Sequence, residues 1–254
     1  MQARLLPARH GALWLLAGLR LFRRNPALLG TLTLGYVFLV AAINFLPYVG
    51  PFLLPLALPA LVVVIANGCR AIERGVLPNA IALARGVREH RVELVQLGGL
   101  HLLGSLAILA INAFFDNGGA TAATADEEDI ALAMLRLLII AIPVIMAFWF
   151  APLLTAWDGA GPLKSVFFSV VAAWRNWRAF LVYGASTLIV AVVLPASLLI
   201  AAGAIAKPLA QALAVIMPLA LIFVAAPVLT ASVYLSYQDV FHPPVTAADP
   251  ADGQ

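Results

Sequence analysis

Few groups in this sequence could take part in chemistry, and most stand inside apolar runs. His101 and Arg136 are ionisable, and Asn44, Asn67 and Asn112 carry amides. A proton relay or an ion-coupled carrier needs ionisable groups that face one another at mid-membrane depth. One imidazole and one guanidinium far apart in the chain do not make such a pair. His101, seven residues into its apolar run, reads as a packed, hydrogen-bonded group. Arg136 reads as a cation held by the acidic stretch before it, with Asp129 seven residues earlier on a similar helical face. The amides are expected to bond between helices or to backbone, each contributing roughly 0.6 kcal/mol. The four histidines, His10, His90, His101 and His242, have no spacing that builds a metal site, and the lone Cys69 excludes an intramolecular disulfide. Phosphate-binding glycine loops, nucleophile elbows and HExxH are also missing from the sequence. It therefore reads as a non-enzyme that calls for no cofactor or metal.

The stretch PYVGPFLLPLALP, residues 47–59, raises a different possibility. Proline lacks a backbone donor and its ring clashes with the carbonyl four residues back. A span starting only after Pro59 would rise about 15 Å before meeting Arg70, which is half a bilayer. The helix must therefore begin near Pro51, with Pro55 and Pro59 inside it and nearly on one face. The carbonyls of Pro51 and Pro55 then lose their usual donors, and that face is expected to turn towards neighbouring helices, polar side chains or water. Asn44 is one candidate donor, and a hinge or a carbonyl-lined cavity is the functional form of the same feature.

The elements that position these groups are transmembrane helices. Hydrophobic residues make up 63% of the chain and charged ones 11%, against roughly 45 to 50% and about 25% in soluble domains. Apolar runs of the length needed to cross a hydrocarbon core of roughly 30 Å recur throughout. Six spans are expected at 28–46, 52–69, 94–115, 137–157, 179–203 and 209–237, in a single transmembrane domain over 1–242 with a disordered cytoplasmic tail at 243–254. The last pair is the least marked, since Lys207 is the only charge between 179 and 238 and Lys207-Pro208 the only break with turn chemistry.

Of the 15 Lys and Arg residues, 13 fall on one side of this arrangement. The other side has YVGP, the acidic loop DNGGATAATADEED and Lys207. The positive-inside rule then makes both termini cytoplasmic. The same asymmetry accounts for the basic pI, and no aromatic-interleaved basic module points to nucleic acid. The amino-terminal apolar stretch is broken by Arg20 and lacks a cleavage site, so it is expected to be retained.

Three segments, GLRLFRRNPALLGTLTLGY, ALARGVREHRVELVQLGGL and SVVAAWRNWRAFLVYGAST, run from a partly amphipathic stretch through a basic-polar junction into a span. They bring Asn25, His90 and Asn176 to the junctions. Pro59-Ala-Leu, PLLTA from Pro152 and PVLTA from Pro227 mark the second span of each unit. The pattern reads as three repeats of an interfacial helix plus a hairpin. Ahead of Asn176, residues Leu163, Val166, Phe167, Val170, Trp174 and Trp177 recur at spacings of three and four, which makes a helix suited to the headgroup layer. Asn25-Pro26 is a helix cap followed by proline at the first helical position. Arg23, Arg24, Asn25, Arg88, Arg91, Trp174, Arg175, Asn176, Trp177 and Arg178 thus form a candidate cytoplasmic collar for anionic membrane lipid or an unidentified protein partner.

At FFSVVAAWRNWRAFLVYG and SVYLSYQDVF the chain resembles a family of six-span bacterial inner-membrane proteins. More loosely it is similar to YciC-like proteins and to the membrane portion of membrane-bound glycerophosphodiester phosphodiesterases. The resemblance implies a bacterial inner membrane. It carries no phosphodiesterase activity, because no catalytic domain follows here. Two function classes stay open: a non-enzymatic component acting through its basic face, and a small-solute or lipid-like permease with a pathway through the bundle past His101, Asn67 or Asn112.

Overall fold

A computed structural model describes residues 3–115 and 127–242. Among the described residues the regular structure is helical throughout, and six helical stretches are long and apolar enough to cross a membrane. The chain is an all-α, polytopic helical bundle. The acidic loop at 116–126 and the tail at 243–254 lie outside the described residues. So does the side chain of Asp129, and with it the expected pairing to Arg136.

In chain order α1 is His10–Arg24, α2 Pro26–Asn44, α3 Gly50–Glu73, α4 Ala80–Leu83, α5 Arg91–Phe115 and α6 Glu127–Phe148. They are followed by α7 Ala151–Asp158, α8 Pro162–Arg175, α9 Trp177–Leu188, α10 Leu194–Ile205, α11 Lys207–Ala220 and α12 Ala226–Phe241. The spans are α2, α3, α5, the broken pair α6 and α7, the pair α9 and α10, and the pair α11 and α12. Residues 179–238 hold two of them, separated at Ala206, whose extended backbone (φ −159°, ψ 131°) ends α10 just before Lys207-Pro208. The packing divides the chain into two compact units, one of residues 31–174 and one formed by the two ends of the chain.

Within the unit of 31–174, α3 begins at Gly50 with Pro51 in its first turn and continues through Pro55 and Pro59, both buried. It crosses α5 closely. A Cβ on Gly98 would lie 2.7 Å from both the Cα and the carbonyl oxygen of Leu56. The fourth span breaks at Trp149-Phe150 ahead of Pro152, which cannot donate to the turn before it. Ser169 of α8 repairs the break: its hydroxyl accepts from the Phe150 N–H at 3.0 Å and donates to the Met146 carbonyl at 2.7 Å. Thr155 of α7 donates to Ser165 of α8, one turn before Ser169, at 2.8 Å.

This arrangement inverts the usual amphipathic logic for α8. Its serines and Ala172 and Ala173 face inward, whereas Leu163, Phe167, Val170 and Trp174 are exposed. An exposed apolar face suits lipid rather than water.

The stretch before the third span differs from the other two. Instead of an amphipathic helix, residues 80–90 form the four-residue α4 and a series of turns. Gly86 is the reason, with φ +78° and a Cβ position only 2.8 Å from the Ala156 carbonyl oxygen. A left-handed residue interrupts a helix, and only glycine fits so near another backbone.

In the other unit α1 packs against α9 and α12 through Gly11, Trp14, Gly18 and Leu21. Gly18 sits against Val228, whose carbonyl oxygen would be 2.6 Å from an added Cβ, and Gly11 sits against the Ala179 carbonyl. Asp239 of α12 accepts from Trp14 Nε1 at 3.0 Å and pairs with His10 Nδ1 at 2.7 Å. Tyr183 and Ser232 share a hydrogen bond of 2.8 Å between α9 and α12. Two turns of π-helix, Ile189–Val193 and Leu221–Ala225, immediately precede Leu194-Pro195 and Ala226-Pro227. Widening the helix to an i−5 bond, as in Leu194 N–H to the Ile189 carbonyl, lets the proline ring clear the carbonyl four residues back.

Candidate functional site

The basic end of the second span groups three arginines around a cavity. Asn67, Arg70 and Arg74 lie three and four residues apart, and so on one face of α3. The segment that follows turns back over this face. Gly75 adopts φ +69°, and Asn79 caps α4 by accepting from the Ala82 N–H at 2.8 Å. Arg70, Arg74, Arg85, Asn67 and Asn79 line a pocket of about 220 Å³ between helix and loop.

Asn67 holds this pocket together. Its Nδ2 donates to the carbonyls of Leu83 and Arg85, both at 2.8 Å, and its Oδ1 accepts from Trp157 Nε1 at 3.1 Å. The Arg70 guanidinium lies over the Trp157 ring, 4.6 Å from its centroid. Stacking of that kind fixes the plane of an arginine. Arg74 and Arg85 are exposed. The arrangement can hold an oxyanion, since guanidinium groups meet phosphate or carboxylate through paired N–H donors.

The collar residues have mixed fates. Arg23, Arg24, Arg88, Arg91, Trp174, Arg175, Trp177 and Arg178 are exposed, and the Arg178 guanidinium rests 5.4 Å from the Trp177 ring centroid. Asn25 caps the first span, accepting from the Leu28 N–H at 3.0 Å. Asn176 does not belong to an exposed collar: it is 1% exposed. Its Oδ1 accepts from the Leu6 N–H at 2.8 Å and its Nδ2 donates to the Arg4 carbonyl at 2.9 Å. The Arg4 N–H in turn donates to the Val240 carbonyl at 3.0 Å. An extended amino-terminal segment therefore uses Asn176 as its backbone partner, and a junction asparagine gives no local sign of that role.

The intramembrane candidates fall into separate groups. His101 lies beside the Pro55 carbonyl, one of the two that the proline ladder frees, and its ring packs at a tilt of 48° against Phe148 with centroids 4.6 Å apart. Asn44 has no part in this, because it is exposed and donates to Val40 in its own helix at 2.9 Å. Pro59 is buried. Arg136 donates from Nε to Asn112 Oδ1 at 3.2 Å and from a terminal nitrogen to the Phe115 carbonyl at 3.1 Å. Helix rise places His101 and Asn112 roughly 16 Å apart along α5, and Pro55 and Asn67 roughly 18 Å apart along α3. Asn67, His101 and Asn112 thus have three sets of partners at three depths.

In the sequence Arg70, Arg74 and Arg85 read as topology markers, and the structure brings them around one cavity. The Asn67, Arg70, Arg74 spacing ahead of Pro78-Asn79 is the signal that was available. Pairing with Arg85 required the loop to fold back.

No protein-family model matches the chain, and no solved structure matches it. A curated protein of Burkholderia thailandensis, named as a probable inner membrane protein, is 34% identical over 262 residues, covering 95% of this chain and 94% of its own length. With six apolar helices and near full-length similarity to that protein, the chain belongs to its family and is an integral, multi-pass inner-membrane protein.

Proposed function

We propose that this is a non-enzymatic membrane component that binds anionic lipid headgroups at its basic face, and that this face is cytoplasmic. The observation that carries the reading is the pocket of Arg70, Arg74 and Arg85 at the end of a membrane span, braced by Asn67 and Trp157. Exposed arginines and tryptophans at the other junctions are side chains of the kind that anionic headgroups attract. A permease would need its polar groups on one lining, whereas Asn67, His101 and Asn112 are engaged separately. The looser resemblance to YciC-like proteins and to the membrane portion of the phosphodiesterases belongs to this proposal as a likeness of helix junctions.

Arg74→Gln together with Arg85→Gln is expected to weaken binding to phosphatidylglycerol vesicles by about tenfold or more, since each surface cation contributes on the order of 1 kcal/mol. Vesicle flotation of protein reconstituted in nanodiscs reads this. Unchanged binding would remove the support for the pocket.

Orientation needs its own test, because the natural thiol is useless for it: Cys69 is fully buried. In a Cys69→Ala background, Leu77→Cys should react with an impermeant maleimide from the cytoplasmic side and Tyr48→Cys from the periplasmic side. Both positions are more than four-fifths exposed. The opposite pattern would reverse the topology.

A further inference from the structure

The unit formed by the two chain ends contains a groove of about 450 Å³ whose lining includes Leu16, Leu19, Val190, Ala191, Ala220 and Val224. Its origin is in the sequence. The π-helical turns Ile189–Val193 and Leu221–Ala225, each set ahead of a proline, contribute to two of its walls, and widened turns pack less closely than α-helix. The α1 face bearing Leu16 and Leu19 forms the third. The volume falls in the range of small-molecule sites, roughly 300 to 1,000 Å³.

Its depth follows from helix rise. Leu198 lies seven residues from the end of α10 at Ile205, roughly 10 Å, and Val190 fifteen, roughly 22 Å. Met217 lies ten residues from Lys207, roughly 15 Å, and Val228 twenty-one, roughly 31 Å. In a hydrocarbon core of roughly 30 Å, the groove therefore lies mostly in the leaflet on the basic side and reaches past the midplane at Leu198. Half-exposed Leu16, Val190 and Leu194 leave it open sideways. Arg20 and Arg23 are exposed and stand four residues after Leu16 and Leu19, on the same α1 face.

We infer that this groove holds one acyl chain of an anionic phospholipid, with the headgroup phosphate met by Arg20 and Arg23. An almost wholly apolar lining excludes a polar solute, and two cations at its edge select a negatively charged headgroup over a zwitterionic one. The site is distinct from the Arg70, Arg74 and Arg85 pocket and does not rest on it.

The test is native mass spectrometry of the full chain released from nanodiscs of equal phosphatidylglycerol and phosphatidylcholine. The natural protein should retain one phosphatidylglycerol. Filling the groove with Ala191→Phe and Ala220→Phe should lower that retention at least fivefold, and Arg20→Gln with Arg23→Gln should keep a lipid but lose the preference for phosphatidylglycerol. Equal retention in the filled variant overturns the acyl site, and an intact preference in the arginine variant overturns the headgroup assignment. Should the filled variant not fold, phosphatidylglycerol with a diazirine in its acyl chain is crosslinked to the natural protein. Adducts concentrated in 187–198 and 217–229 support the site, and adducts spread evenly over exposed positions such as Leu103 and Leu109 refute it. Arg74→Gln with Arg85→Gln should leave this retention unchanged, which separates the outcome from that of the pocket.

Discussion

Replacing Gly98 by alanine is expected to destabilise the 31–174 unit by about 3 kcal/mol, near the top of the range for overpacking a close contact. The added methyl would meet the Cα and carbonyl oxygen of Leu56 at 2.7 Å and its carbonyl carbon at 3.0 Å. Backbone atoms cannot swing aside as a flexible side chain would, so α3 and α5 must separate. Separation also draws His101 away from the Pro55 carbonyl beside which it stands, in a region with little water to replace it. Gly99 provides the control, since nothing lies within 4 Å of its Cβ position. Gly99→Ala should be neutral or stabilising by up to about 1 kcal/mol through helix propensity. Thermal unfolding of the purified protein in mild detergent compares them. Equal melting temperatures for the two variants would mean that α3 and α5 do not cross here.

Asn67→Ala is expected to lower stability by about 2 to 3 kcal/mol and to free the loop that closes the basic pocket. The change removes two donors to the carbonyls of Leu83 and Arg85 and the acceptor of Trp157 Nε1. Each unsatisfied buried partner costs roughly 1 to 3 kcal/mol, reduced where loop carbonyls gain access to water. Asn67→Asp separates the contributions, because it keeps the acceptor for Trp157 and loses both donors. Hydrogen–deuterium exchange should show faster exchange across 76–90 in both variants, with Trp157 fluorescence shifted only in the alanine variant. Phosphatidylglycerol binding should fall with loop protection, even though no cation has been removed. Unaltered exchange in 76–90 would show that Asn67 does not anchor the loop.

The placement of His101 against the Pro55 carbonyl shows how far local rules reach. Proline at 55 and 59 dictates which carbonyl loses its donor, and free carbonyls in lipid must find a partner. Both follow from covalent chemistry and are legible in the sequence. The partner's identity is not legible: Asn44 is nearer in the chain, yet its amide bonds one turn back in its own helix. The polar group that stands beside it comes instead from 46 residues away, because Gly98 lets α5 approach at that height.

Composition, run length and charge asymmetry determined by themselves that this is a six-span helical membrane protein with a basic side. Those properties depend on transfer between water and lipid, which is additive over short stretches of chain. The cap at Asn25 and the break at Lys207-Pro208 were local in the same sense. Only the tertiary structure decided which polar residues are surface and which are fasteners. Asn176 looked like its exposed neighbours until the amino-terminal segment folded onto it. Arg70, Arg74 and Arg85 became a pocket only when Gly75 and Gly86 turned the loop back over α3. The apolar groove likewise needed two π-helical turns, some thirty residues apart, to face the same helix. Hydrogen bonding and close packing depend on which distant segments meet, and hydrophobic pattern, which sets depth, does not choose neighbours.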